Sequence, residues 1–414
     1  MATTKIKCPV EGIIDLDRLP GVSPQEVRAL IDAPEVQRLR RIKQLGFTEL
    51  VYPSATHTRF AHSLGAFQGA QRTLTQLRTR GVEIPDEWYV ATALACLLHD
   101  VGHGPFSHTF ERITGEGHEL RTQQILFERP RVPELLEQIG PGMGARVLQL
   151  IAGRIEPESL SFLADLVSSS LDCDRMDYLR RDALCTGASY GSFDRDWLIR
   201  EMVPTRDGLA IAVIEKGRSA VEQYLIGRYH MFQNVYLHKT SRGFEGAFRA
   251  LCRRVRALGP GALPEGTRAL RLLHEPTLSL ASFLELSDSS FLYEVEQLVE
   301  HEDRTLRDLA RALHERQPLR QHTFLDEPEG LDELLMTRQE KAARAGLDPD
   351  TAVWTDAAQD VPYRPYAPES GRKGLRLLRR DGSIVDVTVL SPTIRALSQR
   401  MVVHRVYWLE TESR

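Results

Sequence analysis

Residues 93–108, ALACLLHDVGHGPFSH, decide how the rest of the chain is read. The first six are apolar, the stretch beyond Val101 breaks at Gly102, Gly104 and Pro105, and His99 and Asp100 stand between. A helix that ends in a glycine-rich turn puts these two side chains against a dry wall with one face open, the setting in which a ligand pair is held rigid. One His-Asp dipeptide is weak evidence alone, because a chain of 414 residues carries on the order of one by chance. The density of imidazole around it is the stronger signal: six of the 13 histidines, His57, His62, His99, His103, His108 and His118, fall within 62 residues.

On either side of this stretch, over residues 24–201, apolar positions recur at three- and four-residue steps, which predicts a helical array. Gly46, Gly81, Pro85, Pro130, Pro133, Pro141 and Pro157 supply its stops and starts. Residues 209–214 read as an isolated strand, and 219–258 as one long amphipathic helix closed by GPGALPEG. From 317 to 372 the composition turns to Pro, Asp and Glu, with EPEG, DPD and YRPYAPESG as loop signals, and an irregular connection is expected. Beyond it, LRLLRRDGSIVDVTVL sets Asp381-Gly382 between two β-prone runs, a hairpin signal, and VVHRVYWL supplies another strand. The expected fold class is mainly α: a helical array in residues 1–316, the connection at 317–372, and a small α+β region at 373–414.

Composition narrows the chemistry. With 53 basic and 57 acidic residues the formal charge is −4, so no global basic field grips nucleic acid, and any polyanion site must be local. Cys8, Cys96, Cys173, Cys185 and Cys252 form no CxxC pair, which suggests neither disulfides nor a thiolate zinc site and suits the cytoplasm. No apolar leader core follows the first lysines, and the longest nearly apolar run, 88–98, is too short to span a bilayer, so no membrane partner is expected. No GxxxxGK[ST] occurs. The GxSxG at Gly187–Gly191 follows a charged helix instead of a buried strand, which argues against Ser189 as a nucleophile. Arg-rich runs such as CRRVRALG and RLLRR read first as solvated faces, and second as an oligomer seam for nucleotides or single-stranded nucleic acid.

Two nitrogens and two carboxylates are available to one ion: His62 in HTRFAHS, the His99-Asp100 dyad, and Asp174 in LDCDRMDYLRRD. Mixed nitrogen and oxygen donors suit Mn, Fe, Co or Zn, or Mg where phosphates share the ion, and leave positions for water and substrate. A lone histidine on an apolar helix is ordinarily a hydrogen-bonded core residue; the combination is what argues for a ligand set.

These segments resemble the HD-domain phosphohydrolases, and among them the branch of dNTP triphosphohydrolases related to the sterile-alpha-motif/HD proteins, without the sterile alpha motif. The similarity runs with few gaps from IDAPEVQRLRRIKQLG through HTRFAHSLG, HDVGHGPFSH and DCDRMDYLRRD to FQNVYLHK, and VHRVYW matches the family's closing strand. The resemblance implies a divalent metal on His62, His99, Asp100 and Asp174, a dNTP substrate, and a homo-oligomer, dimer or tetramer. It places His103, His108 and His118 near the α-phosphate, with Glu111 where the relative has Asp. His108 is then the group that protonates the departing 5′ oxygen, and the products are a deoxynucleoside and intact triphosphate. Arg59, Arg175, Tyr178, Asp182, Arg228, Tyr236, His238 and Lys239 match positions that contact phosphate or sugar, Arg175 replacing a lysine and offering a two-oxygen grip. Gln44 matches a position near the base and the 3′ side of the sugar.

Asp32, Gln37 and Arg40 match positions that bind a guanine activator, a nucleotide effector, in regulated members. The same DxPxxQRLR pattern also reads as helix capping and salt-bridging, and KIKCPVEG lacks the Asn of effector-regulated relatives. A triphosphate carries about four negative charges, so its pocket needs a metal plus several Arg or Lys groups, which these motifs bring together. Two rival readings use the same residues: a nucleotidase or a phosphodiesterase cutting nucleic acid, and a nucleotide-binding regulator with a silenced site. Arg228 and Lys239 favour the triphosphate, and the presence of all four ligand positions argues against silencing.

Overall fold

In the computed structural model, helix Asp86–Leu98 lies where its composition requires. Residues 4–128, 131–275, 277–317, 319–325, 329–360, 363, 374–398 and 401–410 are described. Pro85 sets the entry to this helix, Asp86 and Glu87 face the positive end of its dipole, and every residue from Trp88 to Leu98 is buried. A helix apolar on all faces needs partners all round. Arg59–Thr79, Met143–Ala152 and Phe162–Val167 supply them, and Cys173–Thr186 packs on the far flank of Arg59–Thr79. Phe67, Leu74, Leu94, Leu97, Leu150 and Leu166 are fully buried in their shared core. A second core forms where Lys239–Leu258 packs on Arg304–His314, with Phe248, Leu251, Leu306 and Leu309 sealed between them. No helix among the described residues is long and apolar enough to cross a membrane.

The protein is mainly α, as expected, with small sheets at its margins. A hairpin pairs Lys5–Cys8 with Gly12–Asp15. A four-stranded sheet runs Met202–Pro204, Ile211–Ile214, Arg376–Leu378, Ile384–Asp386, its middle pair parallel. A three-stranded sheet sets Met401–Trp408 between Arg320–Leu325 and Val353–Asp360, antiparallel to both. The hairpin at Asp381-Gly382 forms, with Gly382 at φ +83°.

Four expectations are corrected. Ile211–Ile214 is not isolated: Ile211, Ala212 and Val213 are buried because strands flank them on both sides. The long helix at 219–258 is two, Arg218–Met231 and Lys239–Leu258, joined through a π-helical turn at Phe232–Tyr236. The second starts afresh because the ring of His238 caps it, accepting from the Thr240 N–H. Within 317–372, the described residues do not form an irregular connection. They contain strand Arg320–Leu325, helices Leu331–Arg344 and Pro349–Ala352, and strand Val353–Asp360. Their polarity hid this: Leu331–Arg344 buries Ala342 alone, and Asp356 is buried in its strand because Arg242 clasps it. Of YRPYAPESG only Tyr363 lies within the described residues. Finally, the region from 373 is shared between two sheets, its hairpin extending that of Ile211–Ile214 and its last strand centring the other. In the Arg-rich run CRRVRALG, Arg254 bridges Asp303 and Asp348 inside the fold.

Candidate active site

His62 comes from the first turn of Arg59–Thr79, His99 and Asp100 from the end of Asp86–Leu98, and Asp174 from the first turn of Cys173–Thr186. Nε2 of His62 lies 3.0 Å from Asp174 and 3.7 Å from Asp100; Nε2 of His99 lies 3.4 Å from Asp100 and 3.6 Å from Asp174. Both Nε2 atoms are buried with no hydrogen-bond partner. Each such orphan costs about 1–3 kcal/mol in an ordinary core, so two of them facing two carboxylates fit a ligand set for a divalent cation. The opposite ring nitrogens are occupied, Nδ1 of His62 by Asp177 at 2.8 Å and Nδ1 of His99 by the Cys96 carbonyl at 2.9 Å, which fixes the tautomer that offers Nε2 to the ion.

Burial favours neutral rings here, yet Asp174 and Asp177 raise His62 to about 10, and Asp100 and Asp174 raise His99. Against their own burial, Asp174 is held low by His62 and His99, and Asp100 by Arg59, His99 and His103. Protons and a metal therefore compete for the same four side chains.

Asp177 is itself held by Arg181, which donates to both its oxygens at 2.8 Å. Gly65 makes room for this pair: a Cβ there would sit 1.9 Å from Asp177 Oδ1 and 2.4 Å from Arg181 Nη2. The absence of a side chain on one helix thus lets the carboxylate of the other reach the back of His62.

The second group abuts the first. Nε2 of His103 is 3.2 Å from Asp100, and its ring stacks on His118 at 3.9 Å. Glu111 gathers all three histidines, with Nδ1 of His118 at 2.8 Å, of His108 at 3.2 Å and of His103 at 3.3 Å. Burial would raise this carboxyl, but the three imidazole contacts hold it well below the usual range. Burial, reinforced by Arg59, lowers His103 to about 4, so it stays neutral, whereas the His108 side chain is 66% exposed and open to a ligand. Gly102 permits this crowding, since a Cβ would meet the His118 carbonyl at 2.2 Å.

The loop is held under strain. Phe106 and Ser107 take φ of 54° and 55°, unusual for such residues and costing on the order of 1–3 kcal/mol each. Asp288 offsets part of this by accepting the N–H of Phe106 and of Lys43, both at 2.8 Å, and burial lifts its carboxyl to about 6 despite them. Arg59 ties Ser107 Oγ at 2.7 Å to Asp100 at 2.5 Å, and Arg38 reaches from below to the His103 carbonyl at 2.9 Å.

The remaining sequence-derived positions fall into four groups. Tyr178, Asp182 and Tyr236 extend from the metal group: Tyr178 stands edge-on to His62 and Tyr236, and Tyr236 donates to Asp182. Gln44 pairs with the backbone of His57 beside them. Arg175 folds back onto Asp172 and the Ser169 carbonyl, and Arg228 lies over Phe232. His238 and Lys239 line a separate cleft of about 540 Å³ with Tyr52, Tyr190 and Arg405. Asp32, Gln37 and Arg40 form an outer chain with Arg28, linked by contacts of 2.7, 3.4 and 2.7 Å, and Arg40 covers Phe60. Each of these three has an intramolecular partner, the capping and salt-bridging arrangement. Ser189 lies in a one-turn helix after Gly187, not at a strand end.

Asp177, Arg181, Asp288, Arg38 and the pairing of His57 Nε2 with Asp182 Oδ1 at 2.7 Å were not read from the sequence. Asp177 and Arg181 had a signal, since spacings of three and seven from Asp174 place them on one helix face; Asp288 had none.

The HD domain family matches residues 59–182, the span that holds all four candidate ligands. A Bacillus subtilis (strain 168) protein, YwfO, is 34% identical over 384 residues, 92% of this chain and 87% of its own. The deoxynucleoside triphosphate triphosphohydrolase SAMHD1 of Gallus gallus is 34% identical over 225 residues, 46% of this chain and 35% of that one. A phosphohydrolase structure from Bacteroides thetaiotaomicron superposes with a TM-score of 0.83 at 28% identity, covering 98% of this chain and 99% of that chain.

Proposed function

This chain belongs to the HD-domain phosphohydrolase family, and on that premise we propose that it hydrolyses deoxynucleoside triphosphates to a deoxynucleoside and inorganic triphosphate. One observation carries the reading: two buried, unpartnered imidazole nitrogens face two carboxylates next to a His108 that Glu111 holds at the open side. A divalent cation on His62, His99, Asp100 and Asp174 would supply Lewis-acid chemistry and charge neutralisation to a phosphate group.

The protein's own groups do the rest. Glu111 binds Nδ1 of His108, fixing the ring so that its other nitrogen is the one able to protonate a departing oxygen. Neutral His103 spaces that acid from Asp100. Arg59 adds positive charge beside Asp100, and Arg175, one residue past Asp174, adds more on the same helix. The dNTP part of the reading is supported by the named activity of the SAMHD1 relatives and by the row Tyr178, Tyr236, Asp182 on which a sugar would rest. A homo-oligomer belongs to the same proposal.

The test is chromatography of products after incubation with each dNTP, singly and mixed, with Mn or Mg. Deoxynucleoside plus intact triphosphate supports the proposal. Orthophosphate or a monophosphate would move the assignment to a nucleotidase, and no product with any dNTP to a silent site. Turnover confined to mixtures would return an activator role to Asp32, Gln37 and Arg40.

A further inference from the structure

Glu111 lies in the first turn of helix His108–Thr114, and three imidazoles from different stretches of chain surround its carboxylate. His108 comes from the start of the same helix, His118 from the start of His118–Glu128, and His103 from the glycine-rich turn before both. All three present Nδ1: His118 at 2.8 Å and His103 at 3.3 Å from Oε1, and His108 at 3.2 Å from Oε2. The four donor atoms lie within 4.8 Å of one another. All four residues lie outside the ligand set His62, His99, Asp100 and Asp174.

Hydrogen bonds alone leave this group unbalanced. His103 stands between two carboxylates, with Nε2 3.2 Å from Asp100 and Nδ1 3.3 Å from Glu111, and a neutral imidazole has a single N–H to give them. With that proton toward Asp100, the Nδ1 lone pair faces Oε1 of Glu111, acceptor against acceptor. This Nδ1 is buried without a hydrogen-bond partner, on a side chain 3% exposed. A cation between the two removes the repulsion, and the spacing suits one: metal bonds of about 2.0–2.1 Å in a tetrahedron set the ligand atoms about 3.3 Å apart. Three imidazole nitrogens with one carboxylate oxygen are a donor set for zinc, whereas Mg and Mn favour oxygen.

We propose that His103, His108, His118 and Glu111 form a second metal site, selective for zinc, whose filling shuts the reaction off. The shut-off rests on the proposed reaction, in which His108 is the acid; the site itself does not. A His108 ring bound to zinc through Nδ1 is neutral, and its one remaining proton, on Nε2, could leave only by forming an imidazolate, so the ring no longer serves as an acid near neutral pH. Glu111, which otherwise fixes His108, is drawn onto the same ion. The site is weaker than the first for two reasons. The His108 side chain is 66% exposed and loses its freedom on binding, and the rings of His103 and His118, stacked at 3.9 Å with planes 17° apart, must splay before both lone pairs converge on one ion. It therefore fills with added zinc and empties on dialysis.

The experiment is equilibrium dialysis of the Mn-loaded protein against graded zinc, in wild type, His118→Ala and Glu111→Gln, with Mn and Zn counted separately by elemental analysis and dNTP turnover of the wild type followed in parallel. Total metal in the wild type is expected to rise from about one to about two ions per chain, Mn being retained, and turnover to be lost over the same range of zinc. Dialysis back into Mn alone restores it. Both variants are expected to keep the first ion, which shows them folded, and to lose the second. Wild type that stays at one ion, or variants that still take up two, would overturn the site. A second ion that leaves wild-type turnover intact, or inhibition that follows loss of Mn instead of uptake of zinc, would overturn the shut-off. A wild type that turns over no dNTP at all would overturn the dNTP reading and the shut-off with it, while the ion count would still decide the site.

Discussion

Asp177→Asn perturbs a residue outside the four proposed ligands, yet it should weaken both the fold and the proposed metal site. Asp177 lies 2.8 Å from Nδ1 of His62 and accepts from Arg181 at 2.8 Å on each oxygen, and none of the three side chains is more than 2% exposed. Asparagine keeps the shape, removes the charge and turns an amide N–H toward Arg181 or His62, both donors. Breaking a buried ion pair costs about 3–5 kcal/mol, of which the retained carbonyl recovers part. His62 also loses the carboxylate that orients its ring, a change that typically weakens metal binding roughly 10- to 100-fold, or about 1.4–2.7 kcal/mol. Because the stability loss exceeds the binding loss, the two need separate assays: urea denaturation of the metal-free protein, and competition for bound metal with a chelator. A lower denaturation midpoint together with a metal Kd raised at least tenfold is expected. Unchanged metal affinity in a folded variant would refute the reasoning, since packing alone would then orient His62.

Other substitutions separate the parts of the site. His108→Ala should retain metal while its rate falls by about two to four orders of magnitude, as for loss of a general acid; an unchanged kcat would remove His108 from the reaction. Gly65→Ala puts a methyl 1.9 Å from Asp177 Oδ1 between two packed helices, so both melting temperature and metal affinity should drop, and a normal metal Kd would show that the helices separate freely there. His57, raised from 6.5 to about 9 in the fold, contributes stability that is fully present below pH 6.5 and is lost as pH rises through 9. That contribution is about 3 kcal/mol at most, and His57→Gln should flatten this limb of the pH–stability curve; the same slope in both proteins would contradict the assignment.

The parts of the site that were legible in the sequence are those whose signal is local. His99 and Asp100 announce themselves because an apolar helix stops at a glycine-rich turn directly after them, and Asp174 and His62 because they sit in short motifs at helix starts. What supports them is spread along the chain. Asp288 reaches the Phe106–Ser107 turn from 182 residues away, and only the folded structure brings the two together. Asp177 and Arg181 keep the spacing of any surface ion pair, so nothing marked them as buried until Gly65 was seen to open the gap. Polarity misled in the same way at Val353–Asp360, where a buried aspartate is affordable because Arg242 meets it. Helical periodicity likewise carried one helix straight through the π turn at Phe232–Tyr236, since the apolar rhythm continues on both sides of it.

Elemental analysis of the purified, dialysed protein and of Asp174→Ala bears most directly on the ligand set that everything else depends on. About one divalent ion per chain is expected in the wild type and almost none in the variant, because one carboxylate of a four-residue site is gone. Full occupancy in a folded Asp174→Ala would contradict the assignment of His62, His99, Asp100 and Asp174 as one metal site.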